Sequence, residues 1–203
     1  MTSSVTVEKI EAANTEEFVT KACEWLRAKI EHCINRDGLC LLGLSGGIVS
    51  RVWLHWKKCN CDAIRYHKPG TTPKPIYEKL GTVGGIDWSK VWIFAVDERY
   101  VPRDHQDSNY KLVFDSLLRN INIPEDHIVF PNTSLPLVRY DEISTLLTMH
   151  VIKFQPQQEC VADYDRQISQ LLSKSPSRTA HIVTLGIGDD GHFASLFPNM
   201  PEE

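Results

Sequence analysis

Three almost continuously apolar runs are the feature of this sequence that most constrains its fold. They read LCLLGLS (39–45), VWIFAVDE (91–98) and HIVTLGIG (181–188). Runs this apolar are typical of strands that are buried on both faces of a sheet. Segments with helical periodicity separate them, and strands that alternate with helices predict a parallel sheet. We therefore expect an α/β protein.

The segments between the apolar runs have recognisable periodicity. Residues 15–36 carry an apolar stripe spaced for one face of a helix, and the acidic residues after Thr15 suit the positive end of a helix dipole. Segments 108–121 and 160–174 have the same helical spacing, whereas 5–10 alternates like an edge strand. The stripe of the first helix comprises Phe18, Ala22, Trp25, Leu26 and Ile30. These patterns predict helices packed against a central sheet.

The composition is that of a globular protein, and we expect one domain over residues 1–203. The chain is 42% hydrophobic and 24% charged, with a formal net charge of −4. This charge gives no basis for nucleic-acid binding, and no apolar run reaches the roughly 18 residues that span a bilayer. The N-terminus lacks the features of a secretory signal. We therefore expect a cytoplasmic protein with reduced cysteines and with neither a membrane nor a nucleic-acid partner.

The first apolar run ends in residues suited to ligand binding. In open parallel sheets, ligands bind beyond the carboxyl ends of the strands. Ser45, Gly46 and Gly47 follow this run and predict either a plain tight turn or a turn whose backbone N–H groups bind an anion. Neither Gly-Lys-Ser nor Gly-Lys-Thr follows, so the segment is not a Walker loop.

Charged residues follow the other two runs. The second ends in Asp97, Glu98 and Arg99, which suggest either a solvated loop with an Asp–Arg pair or an arginine that binds an anionic substrate. The third continues to Asp190 and His192, where the carboxylate can orient the imidazole as a general base. Its glycines formally match a dinucleotide-binding pattern. We reject that interpretation because two aspartates would occupy the pyrophosphate position.

Together the three strand ends predict a site for a small phosphorylated substrate. They supply an anion-binding turn, an arginine and a histidine–aspartate pair, which suffice for general-base chemistry. We therefore expect an enzyme that requires neither a metal nor an organic cofactor.

These segments resemble the 6-phosphogluconolactonase family. The similarity is carried by LSGG and TTP, by DERYVPRDHQDSNY (97–110) and by LGIGDDGHFASLFP (185–198). The resemblance implies a Rossmann-like three-layer α/β/α fold with a mostly parallel sheet. It also implies hydrolysis of a sugar phosphate lactone, 6-phospho-D-glucono-1,5-lactone, to 6-phosphogluconate in the oxidative pentose phosphate pathway.

The resemblance further implies roles for residues at the three strand ends. His192 would be the general base that activates water, and Asp190 would support it. Arg99 would bind phosphate or other negative charge on the substrate. The 6-phosphate would be bound by Ser45, Gly46, Gly47, Thr71 and Thr72.

Two other functions remain open from the sequence. Glucosamine-6-phosphate deaminases are similar in fold and in their strand-end glycines, but they typically have an aromatic residue in place of Arg99 and an FNEP-like string after DGH. Arg99 and the string SLFP (195–198) therefore favour the lactonase. The other alternative is an inactive sugar-phosphate-binding protein, against which the intact DDGH string argues.

Two segments interrupt the resemblance. Residues 48–70 separate LSGG from TTPKPIYEKL, a predicted helix start with Thr72 as N-cap and Pro73 as the first helical residue. Removing residues 48–70, or residues 137–156, joins the flanking parts in register, so both segments resemble insertions. Three origins of the first remain open: translated intron sequence, a lineage-specific loop or a zinc site. The zinc candidates are His55, Cys59, Cys61 and His67, whose Cys-x-Cys spacing is unusual for zinc.

The resemblance extends from about Thr6 to Pro198, whereas members of the family normally continue further. We therefore expect a domain that is incomplete at its C-terminus. Because the phosphate turn is also separated from its helix, we expect weak or no lactonase activity from this chain. A longer fusion with glucose-6-phosphate dehydrogenase is a further possibility that the sequence permits.

Overall fold

A five-stranded sheet forms the centre of the molecule. The computed structural model describes residues 11–46, 53–54, 73–134 and 156–186. The strands are β1 (Cys40–Leu44), β2 (Trp53–Leu54), β3 (Val91–Ala95), β4 (Ile128–Val129) and β5 (Ile182–Leu185). Their order in the sheet is β2-β5-β1-β3-β4. Strands β5, β1, β3 and β4 are parallel, and β2 is antiparallel to β5.

Helices connect the parallel strands. The α-helices are α1 (Thr15–Asp37), α2 (Lys74–Leu80), α3 (Asn109–Ser116) and α4 (Pro156–Leu172). Short 3₁₀ turns lie at Trp88–Lys90, Leu118–Asn120 and Glu125–His127. Within the described ranges, no helix is both long enough and apolar enough to cross a membrane.

Side chains of the central strands alternate between two helical layers. Leu42 of β1 and Ile93 of β3 are fully buried in a core shared with α1, α2 and α3. Leu41 and Phe94 lie on the other face, where they pack with Leu171 of α4. Alternate residues of a strand point to opposite faces, which is why continuously apolar strands form the middle of a three-layer structure. The α/β/α fold and its mostly parallel sheet confirm the sequence-based prediction.

The first helix follows its sequence pattern closely. It begins at Thr15 because the side chain of Asn14 accepts a hydrogen bond from Glu17 N at 2.9 Å, while Glu17 Oε2 accepts from Ala13 N at 2.7 Å. It ends at Gly38, whose φ of 78° is left-handed. Four residues of the predicted stripe are buried and the fifth, Trp25, is partly buried.

Three other helices differ from their predicted bounds. Helix α2 begins at Lys74 with Pro73 in the N-cap position, one residue later than expected, and Thr72 lies outside the described residues. Helix α3 ends at Ser116 and gives way to a 3₁₀ turn, because Leu117 departs from helical geometry with φ −126°. Helix α4 begins four residues earlier than expected, at Pro156, a position where a missing N–H costs no intrahelical hydrogen bond.

The insertion-like segments are described only at a few residues. Trp53–Leu54, within 48–70, pairs with Leu185 and Thr184 of β5 and so adds an antiparallel strand to the sheet. Pro156, the last residue of 137–156, belongs to α4. The predicted edge strand 5–10 lies outside the described residues, as do the four zinc candidates. The origin of both segments and the single-domain assignment stay predictions.

A buried histidine joins the amino-terminal edge of the sheet to α1. His181 Nδ1 accepts a hydrogen bond from Leu41 N at 2.9 Å, and Nε2 lies 3.0 Å from Asp37 Oδ2. Since Nδ1 accepts, Nε2 carries the proton and donates to Asp37. Burial lowers the pKa of His181, although Asp37, itself paired with Arg36 at 2.6 Å, opposes the shift. The neutral imidazole therefore satisfies both partners.

This geometry predicts that protonation of His181 destabilises the fold. Its pKa in the folded chain lies below the ordinary value of 6.5, so the unfolded chain binds the proton first. The contribution of neutral His181 to the free energy of unfolding is fully present above pH 6.5. It is lost as the pH falls toward the lower pKa that His181 has in the folded chain. The variant His181→Asn retains an acceptor for Leu41 N but does not titrate. In urea unfolding, the free energy of unfolding of His181→Asn should decline less than that of the unmodified protein between about pH 7.5 and about pH 5. Equal declines in both proteins would contradict this role.

Candidate active site at the strand ends

The strand order places a topological switch point between β1 and β5. From β1 the chain moves through α2 to β3 and then to β4 on one side, and α4 returns it to β5 on the other side of β1. In open α/β sheets, such a point opens a crevice beyond the carboxyl ends of the two strands. That crevice is bordered here by Ser45 after β1 and by Gly186 after β5.

Tyr77 of α2 fixes the carboxyl end of β1. Its hydroxyl donates to Ser45 O at 2.8 Å and lies 3.2 Å from Thr184 Oγ1 of β5. Thr184 Oγ1 also accepts from Ser45 N at 3.2 Å. Burial raises the pKa of Tyr77 well above its usual range, so the hydroxyl remains a donor. Helix α2 and the turn after β1 therefore stay in contact although residues 48–70 lie between them in sequence.

Asp97 and Asn109 connect the end of β1 to the loop after β3. Ser45 Oγ donates to Asp97 Oδ1 at 3.1 Å. Asn109 Nδ2 donates to Asp97 O at 2.8 Å. The Asn109 side chain lies so close to Gly46 that a Cβ at Gly46 would come 2.0 Å from Asn109 Oδ1. Glycine is required at this position because the asparagine occupies the space of a side chain.

Glu98 holds the start of α3 against the end of β3. Its Oε1 accepts from Asn109 N at 2.7 Å and from Arg99 N at 2.8 Å, and its Oε2 accepts from Tyr110 N at 2.8 Å. The hydroxyl of the N-cap Ser108 also donates to Oε2, at 3.4 Å. The first N–H groups of a helix lack partners within the helix, and a carboxylate satisfies them while complementing the helix dipole. One carboxylate thereby closes the loop between β3 and α3.

Arg99 is exposed at the same edge, but it does not pair with Asp97. Its Nη1 donates to Asp107 O at 2.9 Å and to Asn109 Oδ1 at 2.5 Å. Among the described residues, none accepts a hydrogen bond from Nε or Nη2. The Asp–Arg pair considered from the sequence is therefore absent from the described contacts, and Arg99 can offer its remaining donors to an anion.

A cavity of about 580 Å³ opens beside these residues, toward α4. Asp97 and Glu98 form part of its wall, and Cys160 and Tyr164 of α4 form another part. The Tyr164 hydroxyl donates to Ala95 O at 2.6 Å, and burial raises its pKa. The volume is within the range of small-molecule pockets in proteins. Space for a small ligand therefore adjoins the strand ends.

The structure brings together three of the residues predicted for the site. Ser45, Gly46 and Arg99 lie at one edge, linked through Asp97 and Asn109. The other predicted site residues, Gly47, Thr71, Thr72, Asp190 and His192, lie outside the described residues. In the parts of the chain that are described, no group of three or more His, Cys, Asp or Glu side chains could hold a metal ion.

Sequence reasoning missed the residues that position this edge. The sequence patterns predict no role for Tyr77, Thr184 or Asn109, and they indicate Glu98 only as one of three charged residues after a strand. A signal for Asn109 was present, since Ser108-Asn109 directly opens a predicted helix. No sequence signal marked Tyr77 or Thr184, because their contacts bridge positions 32 and 107 residues apart.

Fold and site together define an α/β protein with a switch-point crevice bordered by a glycine turn and an exposed arginine. A model of the family "Glucosamine-6-phosphate isomerases/6-phosphogluconolactonase" matches residues 69–203. This chain therefore belongs to the glucosamine-6-phosphate isomerase/6-phosphogluconolactonase family.

Individual relatives agree with this membership. A "probable 6-phosphogluconolactonase" of Dictyostelium discoideum is 35% identical over 98% of this chain and 63% of its own length. A bifunctional glucose-6-phosphate 1-dehydrogenase/6-phosphogluconolactonase of Plasmodium falciparum is 29% identical over 96% of this chain and 17% of its length. The solved 6-phosphogluconolactonase of Plasmodium vivax superposes with a TM-score of 0.64 at 28% identity, covering 96% of this chain and 52% of that protein. The chain thus spans less than two thirds of the length of these relatives.

The contact between Gly46 and Asn109 predicts a sharp effect of Gly46→Ala. The added methyl group would overlap the Asn109 side chain and displace it or the turn. We expect the free energy of unfolding to fall by about 1–3 kcal/mol in urea denaturation. Gly84→Ala is the matched control, since a Cβ there meets nothing within 4 Å. Equal stabilities of the two variants would show that the close approach is not a constraint.

The Glu98 contacts predict that Glu98→Gln loosens the start of α3. A glutamine presents one oxygen and one NH₂ group, so a backbone N–H of Asn109 or Tyr110 would face a donor. We expect a loss of about 1–3 kcal/mol in the free energy of unfolding. Faster hydrogen exchange at these two amides should accompany it. Glu24→Gln, on the exposed side of α1, should change neither quantity, and unchanged exchange in Glu98→Gln would refute the capping role.

Proposed function

We propose that this protein hydrolyses 6-phospho-D-glucono-1,5-lactone to 6-phosphogluconate. The observation that carries the proposal is the hydrogen-bonded connection between the glycine turn after β1 and Arg99 after β3, through Asp97 and Asn109. This connection puts an anion-suited turn and a cation at the same edge, beside the switch-point crevice. The relatives named 6-phosphogluconolactonase match this chain across the same loops.

The proposed roles follow from the chemistry of each group. Backbone N–H groups of Gly46 and Gly47, together with Thr71 and Thr72, bind the 6-phosphate, while Ser45 N remains bonded to Thr184 and holds the start of the turn in place. Arg99 binds phosphate or the charge that develops on the lactone oxygen, for which a fixed cation is well suited.

The base is the remaining component of the proposed mechanism. His192, supported by Asp190, removes a proton from water as the water attacks the lactone carbonyl, and the imidazolium then returns that proton to the ring oxygen as the ester bond breaks. Both residues follow β5, which borders β1 directly in the sheet. This neighbourhood of the two strands supports a base acting on a substrate held at the turn after β1.

A longer arrangement is compatible with the proposal. The Plasmodium falciparum relative combines a 6-phosphogluconolactonase with a glucose-6-phosphate 1-dehydrogenase in one chain. We propose that residues 1–203 form part of one lactonase-type domain acting in the cytoplasm, whether alone or in such a fusion.

Three measurements on the 203-residue chain test the function. The first is hydrolysis of freshly prepared lactone, against the spontaneous rate. The second is ammonia release from glucosamine 6-phosphate. The third is calorimetric titration with 6-phosphogluconate, with unphosphorylated gluconate as the matched control. Each is repeated with His192→Ala and with a variant that lacks residues 48–70.

We expect phosphate-dependent binding and weak or no lactone hydrolysis by the 203-residue chain, and His192→Ala should abolish any hydrolysis that is measured. Removing residues 48–70 should raise the rate of lactone hydrolysis, because it joins Gly47 directly to Thr71 and so makes the proposed phosphate-binding residues continuous in sequence. Ammonia release would favour a deaminase instead, and binding without turnover in either chain would favour a binding protein. Equal affinity for gluconate and 6-phosphogluconate would contradict the proposed phosphate site.

A further inference from the structure

We propose that Asn109 is the positioning residue that aligns Arg99 with the turn after β1. This inference rests on the proposed function and adds a residue to it. Asn109 is only 1% exposed although it is polar, and it lies where α3, the loop after β3 and the turn after β1 meet. A buried side-chain amide is stable only if its donors and its acceptor find partners.

The two ends of the Asn109 amide have distinct, chemically fixed partners. Asp97 O can only accept, and it receives a hydrogen bond from Nδ2 at 2.8 Å. Arg99 Nη1 can only donate, and it contacts Oδ1 at 2.5 Å. The orientation of the amide therefore follows from its neighbours. A carboxylate would face Asp97 O with a second acceptor, and an apolar side chain would satisfy neither partner.

The same amide sets the distance between Arg99 and the turn. Its oxygen would be 2.0 Å from a Cβ on Gly46, so it rests directly on the backbone of the turn. Its backbone N–H is held by Glu98 at 2.7 Å, which fixes the position of the residue along α3. Arg99 Nη1, bound to both Asn109 and Asp107 O, is thereby kept next to Gly46. Since the guanidinium is planar, two acceptors on one nitrogen also orient its other donors.

A double-mutant cycle tests this role. Asn109→Ser removes both amide contacts without adding charge, and Arg99→Ala removes the side chain that Asn109 is proposed to position. In the otherwise unmodified chain, Asn109→Ser should raise the Kd for 6-phosphogluconate about tenfold or more. In the Arg99→Ala background it should change Kd little, because nothing remains to be aligned. Where turnover is measurable, KM should rise much more than kcat falls.

The controls separate positioning from folding. Asn120→Ser changes an exposed asparagine whose amide, within the described part of the chain, donates only to Ser116 O at 3.4 Å, and it should alter neither Kd nor Tm. Asn109→Leu, which keeps the number and branching of the side-chain heavy atoms but removes both polar groups, should raise Kd as Asn109→Ser does even where the two differ in Tm. Equal increases in Kd with and without Arg99, or no increase at all, would overturn the proposal.

A second readout does not depend on the substrate. An unmodified protein that binds no 6-phosphogluconate would refute the proposed function, whereas the alignment of Arg99 can still be measured by its rate of modification with phenylglyoxal, followed by mass spectrometry. Release of Nη1 should raise this rate in Asn109→Ser but not in Asn120→Ser. An unchanged rate in Asn109→Ser would overturn the positioning role itself.

Discussion

The contact between the Asn109 side chain and Gly46 is the constraint on which this edge of the molecule depends. It brings the turn after β1 and the start of α3 closer than two ordinary residues could approach. The loop from Asp97 to Ser108 then has to close over this contact, and Glu98 closes it by accepting hydrogen bonds from the first N–H groups of α3. The start of α3, the loop after β3 and the turn after β1 are consequently linked to one another, and Arg99 lies within this loop.

The two edges of the sheet are stabilised by different chemistry. At the amino-terminal edge, the neutral His181 lies between Leu41 N and Asp37, and all its polar atoms are satisfied. At the carboxyl-terminal edge, Tyr77 and Thr184 satisfy the backbone of Ser45. The Nε and Nη2 groups of Arg99, by contrast, have no acceptor among the described residues. Satisfied polar groups favour stability, whereas donors directed to solvent favour binding, so the second edge is the one suited to a ligand.

Much of the fold followed from local sequence patterns, because apolar runs and helical stripes are local properties. The three central strands and α1 lie where they were expected. The end of α3 and the start of α4 were not predicted correctly. Helix α3 ends because Leu117 leaves helical geometry, and α4 begins at Pro156; hydrophobic periodicity indicates neither boundary. The strand β2 was not foreseen, because it pairs with β5, more than a hundred residues later in the sequence.

The site was predictable only in part, for a related reason. Glycines and charged residues at strand ends identify the edge, because parallel strands place their carboxyl ends together. The structure places Ser45, Gly46 and Arg99 near one another, and their roles in binding stay predictions. The polar contacts that fix these residues involve Tyr77, Asn109 and Thr184, whose roles depend on distances in the folded chain. An asparagine in a loop motif can be a turn former, a helix cap or a buried link, and the sequence does not distinguish these roles.

The central claim is that the carboxyl edge of β1 and β3 binds a sugar phosphate. Backbone amide chemical shifts during titration with 6-phosphogluconate test it most directly. We expect saturable changes at Ser45, Gly46 and Arg99, and none at Leu41 or Val91 on the opposite edge. Changes confined to the opposite edge, or no change at Ser45 and Gly46 at saturating ligand, would contradict it.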